Sequence, residues 1–404
     1  MKRVLLVAWY FQPRNCVASY RAGCFAKYLP ENGWTPTVLC EDWPASNGHF
    51  DPDFVPNFPS SVCIARIPSP RPKTFWEKVV LRKLLPYWRP YWAPYRWRQD
   101  AWRKMQELMS LEPFDAIWAT SDPLVTLGLA DQAALAWRIP WVADFRDSFN
   151  VMPFGKWYKR PIWAWHEARL CRRANAAVTV SRGLAAGLSA ASGREVAVIE
   201  NGFDPDLFSG PTPPSKPIFS LAYTGRIVFP FVNPRPLLEA IDDCIRTGAI
   251  PRDQIELVFY EAPAEVINLA FPGATTSLPV RVEAKLPHKD IVVVQRSSSA
   301  LVLLNFKGTP GVLTGKLFDY LGAKRPILAV PDDRGEVSEL LSRTNAGVSA
   351  TSVAEISAIL KRWYEEWKRT GTVSLNQSAE QVETYSRRAQ TKRLAAILNR
   401  LTDP

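Results

Sequence analysis

The 404 residues carry 50 Lys and Arg against 39 Asp and Glu, a net charge of +11, and are 47% hydrophobic and 12% aromatic. That apolar content excludes intrinsic disorder, and the length exceeds one ordinary domain of about 100–200 residues. Six scattered cysteines, with no Cys-x-x-Cys pair and no cluster with histidine, argue against zinc and disulfide frameworks and for a reducing, cytoplasmic setting.

Taken in chain order, Met1-Lys2-Arg3 leads into the apolar run Val4 to Phe11. No small-x-small cleavage site follows before Arg14, so the run reads as a buried strand rather than a signal peptide. Further strands are predicted at Thr35–Leu39, Val62–Arg66, Ala116–Ala119, Trp141–Asp144, Ala177–Val180 and Val196–Ile199, the first being Val4–Tyr10. Helical patterns separate them at Ser19–Glu31, Leu124–Ala136, Lys159–Arg173 and Gly183–Ser192. One stretch differs in character: from Arg71 to Lys104 there are ten basic and two acidic residues, 10 − 2 = +8 of the total charge, with Trp76, Trp88, Trp92, Trp97 and Trp102. Its tetrads Pro86-Tyr87-Trp88-Arg89, Pro90-Tyr91-Trp92-Ala93 and Pro94-Tyr95-Arg96-Trp97 place prolines four apart, which predicts an extended or turn-rich loop.

Pro205, Pro211, Pro213, Pro214 and Pro217 then predict a linker over 204–217. The alternation resumes with strands at Ile218–Tyr223, Glu256–Phe259, Val280–Glu283, Ala300–Leu304, Pro326–Ala329 and Val348–Ala350, and helices at Pro234–Arg246, Lys289–Arg296, Thr314–Gly322 and Glu336–Leu341. Two amphipathic helices close the chain, about Val353–Lys368 and Ala379–Asn399. The expected architecture is α/β: two doubly wound, Rossmann-like domains at 1–203 and 218–375, and a terminal helix at 376–404 returning toward the first. Ligands are expected in a cleft at the carboxyl ends of the strands. The longest uncharged stretch, Val266 to Val280, is broken by Pro272, Gly273 and Pro279 and falls short of the roughly 20 apolar residues of a membrane span.

The chain has no Gly-x-Gly-x-x-Gly after its first strand, no Walker loop, no His-Glu-x-x-His and no Gly-x-Ser-x-Gly. Its most informative segment is Thr314-Gly315-Lys316-Leu317-Phe318-Asp319-Tyr320-Leu321, where a Gly-rich loop enters a helix with Thr314 at the N-cap. Free N–H groups and the positive end of the helix dipole suit a phosphate there. Lys316 puts a full positive charge in a first turn that disfavours it, which points to another task. Asp319, one turn on, is suited to a ribose. A capped helix with a solvated Lys and Asp is the plainer reading of the segment alone.

In context the chain resembles glycosyltransferase family 4, within the GT-B superfamily. The resemblance rests on Tyr10-Phe11-Gln12-Pro13, Arg21, Phe25-Ala26-Lys27-Tyr28-Leu29, Gly33 to Leu39 and Pro140 to Asp147. It continues through Val178-Thr179-Val180-Ser181, Ile199 to Asp204, Tyr223-Thr224-Gly225-Arg226, Thr314 to Leu321 and Arg325 to Leu328. It implies a GT-B fold and a nucleotide-sugar donor, with a UDP-sugar slightly favoured, bound through Arg226, Thr314, Gly315, Lys316, Asp319 and Arg21. Arg226 matches the family's basic residue on the donor pyrophosphate. Asp319 falls at the second glutamate of the family's pair, and Gly311 stands where the first would be.

The acceptor side falls on Asp144, Arg146 and Asp147 at the end of a first-domain strand, with a structural ion pair between Arg146 and one Asp as the equal alternative. Arg226, Lys316 and Asp147 form the expected catalytic set. His166 and His288 read as structural, and Asp51-Pro52-Asp53 and Asp204-Pro205-Asp206 read as turn caps, so neither a metal nor a cofactor is expected. For 71–104 two readings stand together. Either Trp88, Arg89, Trp92 and Trp97 meet an anionic membrane or the acceptor, or the aromatics pack on the first domain or form an oligomer contact. Nucleic acid is disfavoured because the basic stretch is one insertion in a nearly neutral scaffold. The resemblance thus implies a retaining transferase, cytoplasmic and peripheral on the inner face of the membrane, acting on a glycan or lipid-linked acceptor. A non-catalytic GT-B scaffold in envelope or polysaccharide assembly is the runner-up, motivated by Gly311 and Asp319.

Overall fold

The computed structural model describes residues 1–43, 50–51, 54, 57–68, 89–147, 160–306 and 311–403. The chain divides into two units, Met1–Glu200 with Arg387–Pro404, and Asn201–Ser386.

The first unit is built on seven parallel strands: β1 (Lys2–Val7), β2 (Trp34–Asp42), β3 (Cys63–Pro68), β4 (Ala116–Ser121), β5 (Trp141–Phe145), β6 (Ala176–Thr179) and β7 (Ala197–Val198). Their order is β3-β2-β1-β4-β5-β6-β7. Val4 to Val7 are fully buried in an unbroken apolar run, as a parallel strand covered on both faces requires. The helices are α1 (Val17–Tyr28), α2 (Arg89–Leu111), α3 (Val125–Trp137), α4 (Arg160–Arg173) and α5 (Arg182–Ser192). Residues of α2 to α5 form the core on one face of the sheet, and α1 packs on the other.

Helix α2 corrects the sequence reading of a proline-punctuated loop. Pro90 is its second residue, where the missing N–H has no intrahelical acceptor in any case, and only Pro94 lies inside. An interior proline costs roughly 3 kcal/mol. Trp97, Ala101 and Met105, spaced four apart, are fully buried against the sheet, and each large apolar side chain so buried contributes about 1.5–3 kcal/mol. Burial therefore outweighs the proline.

The second unit has six parallel strands: β8 (Phe219–Thr224), β9 (Ile255–Tyr260), β10 (Val280–Glu283), β11 (Ala300–Leu304), β12 (Ile327–Val330) and β13 (Gly347–Ser349). They are ordered β10-β9-β8-β11-β12-β13. Its helices are α6 (Arg235–Arg246), α7 (Ala264–Ala270), α8 (Ala274–Ser277), α9 (His288–Ser297), α10 (Gly315–Ala323), α11 (Glu336–Thr344), α12 (Val353–Thr370) and α13 (Ala379–Glu383). The last helix, α14 (Arg387–Thr402), belongs to the first unit and packs with α1. In both sheets the strand order reverses once, between β1 and β4 and between β8 and β11, which marks where an open parallel sheet offers a ligand site.

Two further expectations are revised. The single terminal helix is broken between α13 and α14, because the backbone of Tyr385 and Ser386 pairs with Phe203 instead of continuing the helix. Segment 204–217 is part of the second unit rather than a free linker. Asp204 caps a 3-10 turn, Pro205–Phe208, by accepting from the Asp206 N–H at 3.1 Å. Phe203 and Phe208 meet edge to face at 5.8 Å. They close over Gly322, where a Cβ would lie 2.8–2.9 Å from the two rings.

Candidate functional site

In the second unit the switch point brings the turn after β8 to the start of α10. Tyr223, Thr224, Gly225 and Arg226 leave β8 next to Lys316 in the first turn of α10. The contact is close: a Cβ on Gly225 would lie 3.0 Å from Lys316 Nζ, and φ +134° is a backbone conformation that favours glycine there. Lys316 Nζ donates to the Tyr223 hydroxyl at 2.6 Å and sits 4.1 Å from the centre of that ring. The same hydroxyl donates to the Arg226 carbonyl at 2.7 Å. Tyr223 thus fixes the lysine and the arginine backbone together. The hydroxyl stays protonated because burial raises its pKa.

Among the described residues no carboxylate forms an ion pair with Lys316. Burial pushes its pKa down to about 7, against the opposing pull of Glu261. The lysine is therefore a cation held at a cost, in a place that an anionic ligand would relieve. Arg226, largely exposed, pairs with Glu261 at 3.0 Å. Glu261 follows β9 with φ +66°, a left-handed conformation that is uncommon outside glycine.

Thr314 occupies the N-cap position of α10 with extended backbone, but its hydroxyl makes no bond to the helix and is buried without a partner among the described residues. The cap expected from sequence is thus one of position only. The N–H groups of Gly315 and Lys316, in the first turn, have no intrahelical acceptor. Asp319 Oδ2 lies 3.7 Å from His288 Nε2, while Oδ1 is buried and has no partner among the described residues. Beneath these groups, Tyr320 Oη accepts from the Thr224 N–H at 2.9 Å, and Gln295 Nε2 donates to Thr224 Oγ1 at 3.0 Å. This buried network ties the end of β8 to α9 and α10. Gly311, at φ +81°, adopts a backbone conformation natural to glycine in the loop before α10.

The first unit corrects two assignments. Arg21 and Asp144 are fully buried and bind each other through two bonds, Nε to Oδ2 at 2.8 Å and Nη2 to Oδ1 at 3.0 Å. Arg21 Nη1 donates to the Glu200 carbonyl at 3.0 Å, which completes its fork. Neither is open to a donor phosphate or an acceptor hydroxyl; they tie α1 to β5. The arginine–aspartate pair anticipated at Arg146 is therefore made by Arg21 instead. Arg146 donates from Nε to Thr120 Oγ1 at 3.1 Å and from Nη2 to the Asp122 carbonyl at 3.2 Å, and Asp147 is exposed beside it.

Of the aromatic residues singled out in 71–104, Trp97 is fully buried and meets Trp9 edge to face at 5.2 Å, so it is a core residue and not a surface contact. Trp88 lies outside the described residues, as do the side chains of Arg89 and Trp92. Trp102 stacks on Trp137 at 5.7 Å. Sequence reasoning missed Glu261, which no motif flags, and the bridging role of Tyr223, which lies inside a quoted motif but gains its meaning only beside Lys316.

Residues 19–202 match the family described as the glycosyl transferase 4-like domain. No curated protein sequence matches the chain. Among solved structures, sucrose-phosphate synthase from Thermosynechococcus elongatus is similar at 14% identity and TM-score 0.65, with 99% of each chain covered. The Anabaena protein HepE in complex with UDP is similar at 15% identity and TM-score 0.64, covering 99% of this chain and 100% of the other. The E. coli trehalose-6-phosphate structure bound with UDP-2-fluoro glucose is similar at 11% identity and TM-score 0.56, covering 100% and 97%. At these identities the likeness establishes the fold, which is GT-B. Together with the matched domain it bears out the resemblance to glycosyltransferase family 4.

Proposed function

We propose that this GT-B glycosyltransferase moves a sugar from a nucleotide diphosphate donor to a glycan or lipid-linked acceptor, with retention of configuration and without a metal ion, in building a cell-surface polysaccharide or glycolipid. One observation carries the reading: Lys316, a partly buried lysine with no carboxylate in ion-pair contact among the described residues, stands in the first turn of α10 beside Arg226. As the bond between the sugar and the diphosphate breaks, negative charge grows on the leaving oxygens. Lys316, Arg226 and the first-turn N–H groups of α10 are placed to meet it. Together they supply the positive charge that a metal ion would otherwise bring to the diphosphate.

Asp319 is assigned to the donor ribose, through an Oδ1 that is buried without a partner among the described residues. Arg146 and Asp147 are assigned to the acceptor, and Asp147 joins Arg226 and Lys316 in the catalytic set. A UDP donor is favoured because two structurally similar proteins were solved with UDP or a UDP-glucose analogue. The test is slow donor hydrolysis in EDTA, followed by NMR of the anomeric proton before mutarotation. An α-linked donor is expected to release the α sugar first; the β sugar first, or turnover abolished by EDTA, contradicts the reading.

A further inference from the structure

Glu261 stands at the edge of the candidate site with a backbone that its side chain must justify. Arg138, Lys324 and Asn345 share its positive φ, but each closes a helix, where the left-handed conformation is usual. Glu261 instead follows a strand, and its N–H donates to the Glu283 carbonyl at 3.1 Å. On the neighbouring strand, the Gly225 N–H donates to the Tyr260 carbonyl at 3.0 Å, so the ends of β8 and β9 are held side by side. Glycine would make the turn at 261 without strain. A glutamate there is worth its strain only if the carboxylate does something glycine could not.

That carboxylate accepts from Arg226 Nε at 3.0 Å. A guanidinium is planar, so a partner on the inner Nε fixes the plane of the outer edge formed by Nη1 and Nη2. Neither outer nitrogen makes a hydrogen bond or ion pair among the described residues. Arg226 is thus anchored at both ends, its carbonyl by the Tyr223 hydroxyl at 2.7 Å and its side chain by Glu261. The rest of that side chain is 64% exposed, and an exposed arginine without such an anchor loses rotamer freedom when a ligand orders it.

We propose that Glu261 is a positioning residue for Arg226, holding the inner nitrogen so that the outer edge is presented to a diphosphate at the start of α10. The inference rests on the donor site described under the function above and adds a residue that it leaves out. A carboxylate competing for the ligand's place would take the outer edge, which binds oxyanions through two parallel bonds; the bond to Nε leaves that edge open. The arginine is then ordered before the ligand arrives, which lowers the cost of binding.

The experiment is calorimetric titration of UDP, with GDP and ADP alongside, into four full-length proteins: wild type, Glu261→Gly, Arg226→Ala, and the double variant. It is run at about pH 6, below the Lys316 pKa of about 7, so that the lysine keeps its charge. Thermal unfolding is recorded for each. Glu261→Gly is expected to unfold at the wild-type temperature or higher, because glycine relieves the left-handed turn. Its affinity for the nucleoside diphosphate is nevertheless expected to fall about tenfold, the low end of what a hydrogen bond to a charged group contributes. Opposite effects on stability and binding are what a merely structural residue would not give. Arg226→Ala is expected to lose at least as much, and adding Glu261→Gly to it less than about twofold more, since a residue that acts through Arg226 then has nothing to act on. The proposal is overturned if Glu261→Gly binds as tightly as wild type, or more tightly, as it would if the carboxylate competed with the ligand. A full further loss in the double variant overturns it too. Each of these results leaves the donor site standing, because wild type still binds; failure of all three nucleotides to bind wild type removes the donor site and this inference with it.

Discussion

Each unit encloses a cation near its switch point, and the two are treated in opposite ways. Arg21 is fully buried and answered by Asp144 through two bonds, with a backbone carbonyl taking the third arm. Lys316 is answered by a neutral hydroxyl and a ring face, and burial drives its pKa down to about 7. A charge already balanced inside the protein contributes to the scaffold. One left short of a counter-charge is available to a ligand that brings its own.

The comparison is most easily broken at Arg21. Arg21→Ala leaves Asp144 as an uncompensated charge in a dry interior and is expected to destabilise the first unit by about 3–5 kcal/mol, read by denaturant or thermal unfolding. A loss below about 1 kcal/mol would show that the pair is not structural. Lys316→Ala should do the reverse. Turnover is expected to fall about 10²–10³-fold, the size of effect seen when one preorganised donor to a developing negative charge is removed. Stability should hold or rise, because the variant no longer buries an ammonium group. The lysine's ordinary pKa of 10.5 applies in the unfolded chain and about 7 in the folded one. Its burial cost is therefore fully present below pH 7 and is relieved as pH rises toward 10.5. The variant's advantage over wild type should shrink across that range.

Much of this architecture was legible because the physics is local. All thirteen strands among the described residues were visible as short apolar or β-branched runs, most clearly central ones such as β1, β4, β8 and β11, since a parallel strand covered on both faces can carry little else. The helix ends were close for the same reason, as at Glu336, which opens α11, and Arg246, which ends α6. Where the reading failed, a distant contact had overridden a local rule. Pro94 argued for a loop, and the burial of Trp97, Ala101 and Met105 made it a helix. Tyr385 and Ser386 looked helical until Phe203, far away in sequence, took their backbone.

The candidate site divides the same way. Arg226, Lys316 and Asp319 stood in motifs and fell where a strand end and a helix start converge. Arg21 and Asp144 stood in motifs too, but 123 residues separate them and nothing local reveals that they bind each other. Glu261 carried no signal at all, because its importance lies in a left-handed backbone turn and in reaching Arg226 at the end of the neighbouring strand. Exposure misled as well: the tryptophans of 71–104 drew attention by number, yet Trp97 is core, and Trp165, on an ordinary-looking helix, faces out.

The central claim is that Lys316 is kept for the donor diphosphate, and proton-linked calorimetry tests it most directly. UDP-, GDP- and ADP-sugars are titrated into the wild-type chain and Lys316→Ala at pH 6.5 and pH 8.5, in buffers of different ionisation enthalpy. At the lower pH the lysine is already mostly charged; at the higher it must take up a proton to meet the diphosphate. Affinity should therefore fall from pH 6.5 to 8.5 by up to about tenfold per unit above pH 7. Proton uptake should appear at pH 8.5 and vanish in Lys316→Ala. Failure of every nucleotide sugar to bind, or binding with the same affinity and no proton uptake in both proteins, contradicts the account.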